Sequence, residues 1–246
     1  MIRTLFVGLA ANLLFVSVVY SANIAVLPVG LSLAASHDRA AITVTNRGTD
    51  AVVVQVATVS WTQADGEDHY APTRDLLVNP PLFKLPPGGS QVLRVGLRRP
   101  PTAERELAYR LFLREVPPPA LAGGTGSGGA HIRVLLEMRL PVYVKPAKVV
   151  SAQQWHGTRT AGGGITVGMI NTGNVHLLVS ELKLRPVGAA LDAPPLAAAK
   201  AGRSVFPGQR GAWSLRLPAG EVATRYGLEV STDRGTQHMV LDLDRE

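Results

Sequence analysis

The segment at residues 131–145 restricts the fold most, because its side chains alternate between an apolar and a mixed face over fifteen positions. Period-two alternation is the pattern of a β-strand that buries one side. The run is about twice the usual strand length, which predicts that its first half extends past the sheet that holds its second half. Pro141 has no amide hydrogen and favours a sheet edge. The apolar face consists of Ile132, Val134, Leu136, Met138, Leu140, Val142 and Val144.

On periodicity alone, two interpretations of this strand stay open. In the first, the whole strand lies in the core of its own domain. In the second, Ile132, Val134 and Leu136 are offered to a partner protein that pairs with this edge. An overhanging apolar strand invites such pairing, and monomeric proteins normally suppress it.

Short segments rich in β-branched residues recur along the rest of the chain, separated by turn sequences. Together with 25 Gly and 18 Pro residues, they predict an all-β chain of sandwiches. The linker is expected at residues 146–148, which gives domains at residues 23–146 and 147–246. A short helix is expected around residues 196–200. The predicted strands cover residues 40–45, 51–60, 91–97, 108–115, 164–170, 176–184, 211–217, 226–231 and 237–243.

Residues 1–22 are typical of a signal peptide, because Arg3 precedes an apolar run that ends at the small residues Ser21 and Ala22. An uncleaved membrane anchor is the alternative, since the run approaches the length that spans a bilayer. No basic cluster follows the run, which favours cleavage and a mature chain without stable membrane insertion. A secreted chain that lacks cysteine suits the bacterial periplasm.

Composition and spacing argue against several kinds of chemistry. The absence of cysteine rules out disulfides, thiolate metal sites and cysteine nucleophiles. A formal net charge of +7 permits an anionic partner, but scattered Lys and Arg residues behind a signal peptide argue against nucleic acid. The six histidines lack metal-ligand spacing, and the Gly-rich run at residues 124–129 lacks the preceding strand and following helix of a nucleotide site. We therefore expect no enzymatic activity, no metal and no cofactor.

A set of short motifs occurs in a fixed order along the chain. These are Val44-Thr45-Asn46, Trp61-Thr62-Gln63, Asn79-Pro80-Pro81, Gln91-Val92-Leu93, Leu113-Arg114-Glu115-Val116-Pro117-Pro118, Arg139-Leu140-Pro141-Val142-Tyr143-Val144, Asn171-Thr172-Gly173-Asn174 and Phe206-Pro207-Gly208. The set resembles the periplasmic pilus chaperones of the PapD-like superfamily, whose signature ends in Leu-Arg-Glu-Ile-Pro-Pro. The second and sixth motifs look like the archaic branch, of the Csu or spore-coat-protein-U type. The resemblance covers essentially the whole chain after the signal peptide.

This resemblance implies two immunoglobulin-like β-sandwiches set at an angle and, as activity, donor-strand complementation. A pilin subunit of this kind lacks one strand, which the chaperone supplies until a neighbouring subunit replaces it. The implied partners are pilin subunits of the spore-coat-U type and an outer-membrane usher. Counted back from Pro146, the family's donor positions fall on Ile132, Val134 and Leu136, and Met138 follows on the same face.

The better-studied branch anchors the subunit's terminal carboxylate with an Arg and a Lys, and the resemblance places these positions on Gly30 and Pro141. Neither residue can bind a carboxylate. Arg139 is the predicted substitute, with Lys145 and Arg110 as alternatives, because a guanidinium binds a carboxylate through two hydrogen bonds. A merely solvated Arg139 is equally open. The alternative function is a secreted β-sandwich binding module that uses a basic surface.

Overall fold

The computed structural model describes residues 23–117 and 134–244. Regular structure in these residues consists of seventeen β-strands, so the predicted all-β class is confirmed. In the described ranges, no helix is long and apolar enough to cross a membrane. The predicted signal peptide, the Gly-rich run at residues 124–129 and Ile132 lie outside the described residues.

The first sandwich has two sheets. Its strands are β1 (Ile24–Leu27), β2 (Leu31–Leu33), β3 (Arg39–Asn46), β4 (Val52–Ala64), β5 (Glu67–Pro72), β6 (Leu76–Asn79), β7 (Leu82–Leu85), β8 (Ser90–Leu97), β9 (Leu107–Val116) and β10 (Glu137–Val144). One sheet has the order β1-β3-β8-β6, and the other has the order β2-β10-β9-β4-β5 with β7 also paired to β4. Alternate residues of both sheets, such as Ile42, Leu93 and Leu111, meet in a core without solvent exposure.

The second sandwich also has two sheets. Its strands are β11 (Gln153–Arg159), β12 (Ile165–Asn171), β13 (Leu177–Pro186), β14 (Ala197–Val205), β15 (Arg210–Leu215), β16 (Arg225–Thr232) and β17 (Gly235–Asp242). The sheets have the orders β11-β12-β15 and β14-β13-β16-β17. Their core shares no residue with the first core, and residue 146 lies between them. The exact domain boundary stays a prediction.

The predicted helix around residues 196–200 is wrong. The segment belongs to β14, which pairs antiparallel with β13 from Leu184↔Ala197 onward. Its alanines have high helix propensity, but pairing with a neighbouring strand overrides a weak local preference. Ala197 is buried against the second core, which gives the strand one covered face.

The two sandwiches contain the same corner, built on a buried asparagine. Asn46 donates from Nδ2 to the carbonyls of Leu85 and Pro86, each at 3.2 Å. Asn171 donates from Nδ2 to the carbonyl of Val205 at 2.8 Å. In both cases Oδ1 accepts the amide of a glycine two residues later. Each asparagine therefore ties the end of one strand to the turn before a strand of the same sheet.

Candidate functional site

The described start of the alternating segment does not lie in a sheet. β10 begins only at Glu137, although the apolar alternation continues upstream. The side chain of Met138 is half-buried against the first core, whereas Val134 is 60% exposed. Leu136 is half-buried as well. Of the predicted donor residues, the structure thus places Val134, Leu136 and Met138 along a line from solvent into the core.

β10 is paired unequally on its two sides. On one side it pairs antiparallel with β9 from Glu137↔Arg114 to Val144↔Leu107. On the other side it pairs in parallel with β2 only at the three residues Val142–Val144. Among the described residues, its first part therefore presents an open strand edge. Unpaired backbone groups of this kind accept a strand from another chain.

Glu115 holds the residue in front of β10. Its amide donates to the Leu136 carbonyl at 2.9 Å, and its carboxylate accepts the Leu136 amide at 3.4 Å. Glu115 is buried, on the inward face of β9. The main chain therefore continues the direction of β10 back to Leu136 on the β9 side.

The two positions that the resemblance assigns to the anchor are neighbours. A Cβ added to Gly30 would lie 3.0 Å from Cγ of Pro141. Pro141 in turn lies opposite Arg110 in the ladder between β10 and β9. Gly30, Pro141 and Arg110 thus form one row across the outer face of the sheet, in which Arg110 carries the charge.

Arg110 is held against an indole ring. Its Cζ lies 3.6 Å from the ring centroid of Trp61, and its Nη1 donates to the carbonyl of Arg139 at 3.4 Å. Its Nε is buried without a hydrogen-bond partner among the described residues. A guanidinium that is stacked in place and retains donor capacity is suited to receive a carboxylate.

Arg139 is already engaged. Its Nε donates to Glu137 at 2.8 Å, and Nε of Arg114 donates to the other carboxylate oxygen at 2.6 Å. These two hydrogen bonds lower the pKa of Glu137, and the bond to Glu137 raises the pKa of Arg139. Lys145 is exposed, and its amide donates to the Leu33 carbonyl. Arg139 thus already has an ion-pair partner, whereas Arg110 and Lys145 form no ion pair with another described residue.

Aromatic side chains extend from this row to the second sandwich. The ring of Trp61 meets Phe206 edge-on with centroids 4.5 Å apart. Tyr143 stacks on His176 with ring centroids 3.6 Å apart. Oε1 of Gln63 accepts a hydrogen bond from the Phe206 amide at 3.0 Å, and its Nε2 donates to the Ser204 carbonyl at 2.9 Å. The outer face of the first sandwich therefore continues into the junction between the two sandwiches.

A buried hydrogen-bonded contact between a histidine ring and a glutamate also spans the junction. Nδ1 of His176 lies 2.5 Å from Oε2 of Glu106, whose side chain is only 2% exposed. The same oxygen accepts the main-chain amide of His176 at 2.8 Å. Asn174 donates to the carbonyl of Glu104 at 2.9 Å. These contacts fix the start of β9 against the second sandwich, and the residue spacing in the sequence contains no signal that predicts them.

The fold is thus two β-sandwiches, the first of which has a strand with an open edge, and such an edge can pair with a strand of another protein. The chain belongs to the pili and flagellar-assembly chaperone family, since the model of the PapD N-terminal domain matches residues 23–150. This is a non-enzymatic family of chaperones that act in the periplasm in chaperone-usher pilus assembly. No curated protein sequence matches the chain.

Solved structures with the same fold come from such systems. The chain is similar to one in the CsuC–CsuE chaperone–tip adhesion subunit complex of the archaic Csu pili of Acinetobacter baumannii, with 15% identity, 90% of this chain and 98% of that chain covered, and a TM-score of 0.62. It is similar to a chain in the SafA pilin–SafB chaperone complex of Salmonella enterica, with 17% identity, coverage of 92% and 98%, and a TM-score of 0.60. The E. coli chaperone DraB has 18% identity, the same coverage and a TM-score of 0.59. These matches confirm the predicted two-domain, immunoglobulin-like fold.

Proposed function

We propose that the chain caps incomplete pilin subunits by donor-strand complementation. The observation that carries the proposal is the apolar alternation in front of β10, whose described residues 134–136 belong to no strand of either sheet. The donor residues are Ile132, Val134, Leu136 and Met138. A subunit that lacks one strand exposes an apolar groove between two open edges, which is a direct route to aggregation. The donor segment would pair with both edges and fill the groove.

Burial of the donor side chains supplies the affinity. Full burial of an exposed Val or Leu side chain contributes about 1.5–3 kcal/mol. Val134 is 60% exposed and has most of this to gain, whereas Leu136 is half-buried and gains less. Release then needs no nucleotide, because an incoming pilin segment that fills the same groove better replaces the chaperone's strand.

We further propose that the chain acts in the periplasm after cleavage of residues 1–22 and delivers its subunits to an outer-membrane usher. The motifs at Trp61-Thr62-Gln63 and at residues 139–144 support membership of the archaic branch and subunits of the spore-coat-U type. Detection of the mature chain, starting near residue 23, in a periplasmic extract tests the first step. A chain that retains residues 1–22 and sediments with membranes would contradict it.

For the subunit's terminal carboxylate, we propose Arg110 as the leading anchor, ahead of Arg139 and Lys145. Arg110 lies in the same row as the two positions that the resemblance assigns to this role. It also makes no ion pair within the described residues, whereas Arg139 is neutralised by Glu137. A terminal carboxylate at this point would continue directly from a subunit strand paired along β10.

The donor segment is tested by co-expression with a spore-coat-U-type pilin encoded beside the chaperone gene. Val134→Asp/Leu136→Asp is expected to abolish recovery of soluble pilin from the periplasm, because two buried charges cannot be accommodated in an apolar groove. The matched control is Leu135→Asp, which places the same charge on the other face of the same segment. Soluble, stable pilin with the double variant would refute donor-strand complementation.

The anchor is tested by a double-mutant cycle. Arg110→Ala is expected to weaken binding of full-length pilin, and removal of the pilin's last residues is expected to weaken it too. If Arg110 grips the carboxylate, the two losses overlap, because the second change removes a contact that the first has already lost. Arg139→Ala is the matched control, and its small loss of affinity should be additive with the loss caused by the pilin truncation. Additive losses for Arg110→Ala would reassign the anchor.

A further inference from the structure

A second candidate site lies in the first sandwich, in a cavity of about 740 Å³ that we call the arginine cavity. Its wall includes Arg74, Arg98 and Arg99, with one acidic residue, Asp75. The volume lies within the range of about 300–1,000 Å³ that is typical of ligand sites. The site is lined by none of the proposed donor or anchor residues.

The guanidinium of Arg98 is oriented in advance. The Arg98 amide donates to the Asp75 carbonyl at 2.8 Å. Its Nε donates to the Arg74 carbonyl, also at 2.8 Å. The side chain is thus held at both ends of its stem while its two Nη groups keep their donors. A guanidinium that needs no reordering binds an anion at a lower entropic cost.

Positive charge in the cavity is not compensated locally. None of its three arginines forms an ion pair with another described residue. Asp75 is occupied, because it accepts a hydrogen bond from the Tyr109 hydroxyl at 3.0 Å. Three cations around one engaged carboxylate favour an anionic ligand.

The remaining wall indicates which kind of anion fits. Pro100 and Pro101 form part of it and offer no amide hydrogen. Phosphate cradles usually depend on several main-chain amides, so this wall is poorly suited to phosphate. Leu107, which is 38% exposed, adds apolar surface. Tyr109, at 3% exposure, is too buried to stack with a nucleic-acid base.

We propose that the arginine cavity binds an acidic peptide segment of a partner protein, in which carboxylates alternate with apolar residues. One carboxylate would take the fork of Arg98 in two hydrogen bonds, with Arg74 and Arg99 on either side. The neighbouring apolar side chain would lie against Leu107 and the two prolines. No residue of β10 lines this cavity. A variant that abolishes pilin capture is therefore expected to leave peptide binding intact, and a variant that abolishes peptide binding is expected to leave pilin capture intact.

The proposal is tested with the mature chain and a fluorescein-labelled peptide of sequence Glu-Leu-Glu-Leu-Glu with blocked ends, by fluorescence anisotropy at low salt. Binding is expected to weaken about tenfold or more in Arg98→Ala, since the loss of a two-pronged ionic hydrogen bond commonly exceeds about 1.4 kcal/mol. Arg98→Lys should restore little, because an ammonium lacks the planar fork. Arg216→Ala, which removes an exposed charge from the second sandwich, should leave the affinity unchanged.

Unchanged binding in Arg98→Ala would overturn the proposal, and so would three other results. They are equal weakening by Arg216→Ala, equal binding of the peptide with Gln in place of Glu, and displacement of the peptide by inorganic phosphate at millimolar concentration. The last result would make the cavity a site for small anions. If Arg98→Ala lowers the thermal unfolding temperature, Arg99→Ala replaces it, because no hydrogen bond of the Arg99 side chain is broken within the described residues. Arg99→Ala is expected to weaken the peptide about threefold or more, and an unchanged affinity would equally count against the proposal.

Discussion

The last strands of the two sandwiches differ in how much of their apolar sequence is paired in a sheet. β17 pairs with β16 from its first residue, Thr232↔Gly235, to its last, Arg225↔Asp242. Within residues 134–144, β10 pairs with β9 from Glu137 onward, although the apolar alternation of the sequence extends upstream to residue 132. A strand that serves only its own core needs no apolar residues beyond its ladder. We propose that the extra residues of the first sandwich serve a partner outside the chain.

The two sandwiches are otherwise built alike. Both have the asparagine corner at Asn46 and Asn171, and both bury their cores completely. The difference is confined to one end of one strand. Four measurements test this difference between the sandwiches.

The largest effect is expected from a charge placed in either last strand. Val142→Asp in β10 and Leu241→Asp in β17 should each lower the free energy of unfolding by about 4 kcal/mol or more, because both side chains are at most 2% exposed. Val134→Asp, in front of β10, should change it by less than about 0.5 kcal/mol. Urea unfolding curves measure all three. A large loss for Val134→Asp would mean that this residue belongs to the chain's own core.

The second-largest effect on stability is expected at the two asparagine corners. Asn46→Ala and Asn171→Ala should each cost about 3 kcal/mol, because each leaves buried carbonyls without a donor. The costs should be similar if the corners are equivalent. Urea unfolding again provides the measurement, with Asn174→Ala as a control that affects the junction instead. A negligible cost at one corner would show that the two sandwiches are stabilised differently.

A smaller effect is expected at the junction. His176→Ala removes the ring stacked on Tyr143 and the partner of the buried Glu106 carboxylate. We expect the free energy of unfolding to fall by about 1–2 kcal/mol, because the buried Glu106 carboxylate loses its side-chain partner but keeps the main-chain amide of residue 176. His238→Ala is the matched control, since this histidine is 45% exposed on β17. Equal losses in thermal unfolding would rule out a special role for the junction pair.

The smallest effect concerns pH and lies in the first sandwich. Burial, together with the hydrogen bond to Asp75, raises the pKa of Tyr109 above its ordinary range. The unfolded chain therefore loses this proton first, and its stabilising contribution is lost as the pH rises beyond about 10. Tyr109→Phe should cost at most about 1 kcal/mol near neutral pH, and its deficit should shrink at about pH 10.5. A deficit that stays constant over this range would contradict the link.

Much of the fold could be predicted from local patterns. Strands such as β3, β4, β9 and β12 are rich in β-branched and apolar residues bounded by turns, so their existence follows from sequence. β14 could not be predicted, since its alanines favour a helix in isolation and only pairing with β13 makes it a strand. Other strands lack a clear sequence pattern for a different reason. Four of them have only three or four residues (β1, β2, β6 and β7), and two are mainly polar (β5 and β11).

The all-β class, the family motifs and the alternating segment can be predicted from residue types at short spacing. The folded chain was needed to show that the sheet ends at Glu137 and leaves Val134 exposed. It also placed Arg110 on Trp61 and beside Pro141, and it brought Arg114 of β9 to Glu137 of β10. Such contacts join residues far apart in the chain or depend on which face of a sheet is covered, and neither is encoded in the local pattern.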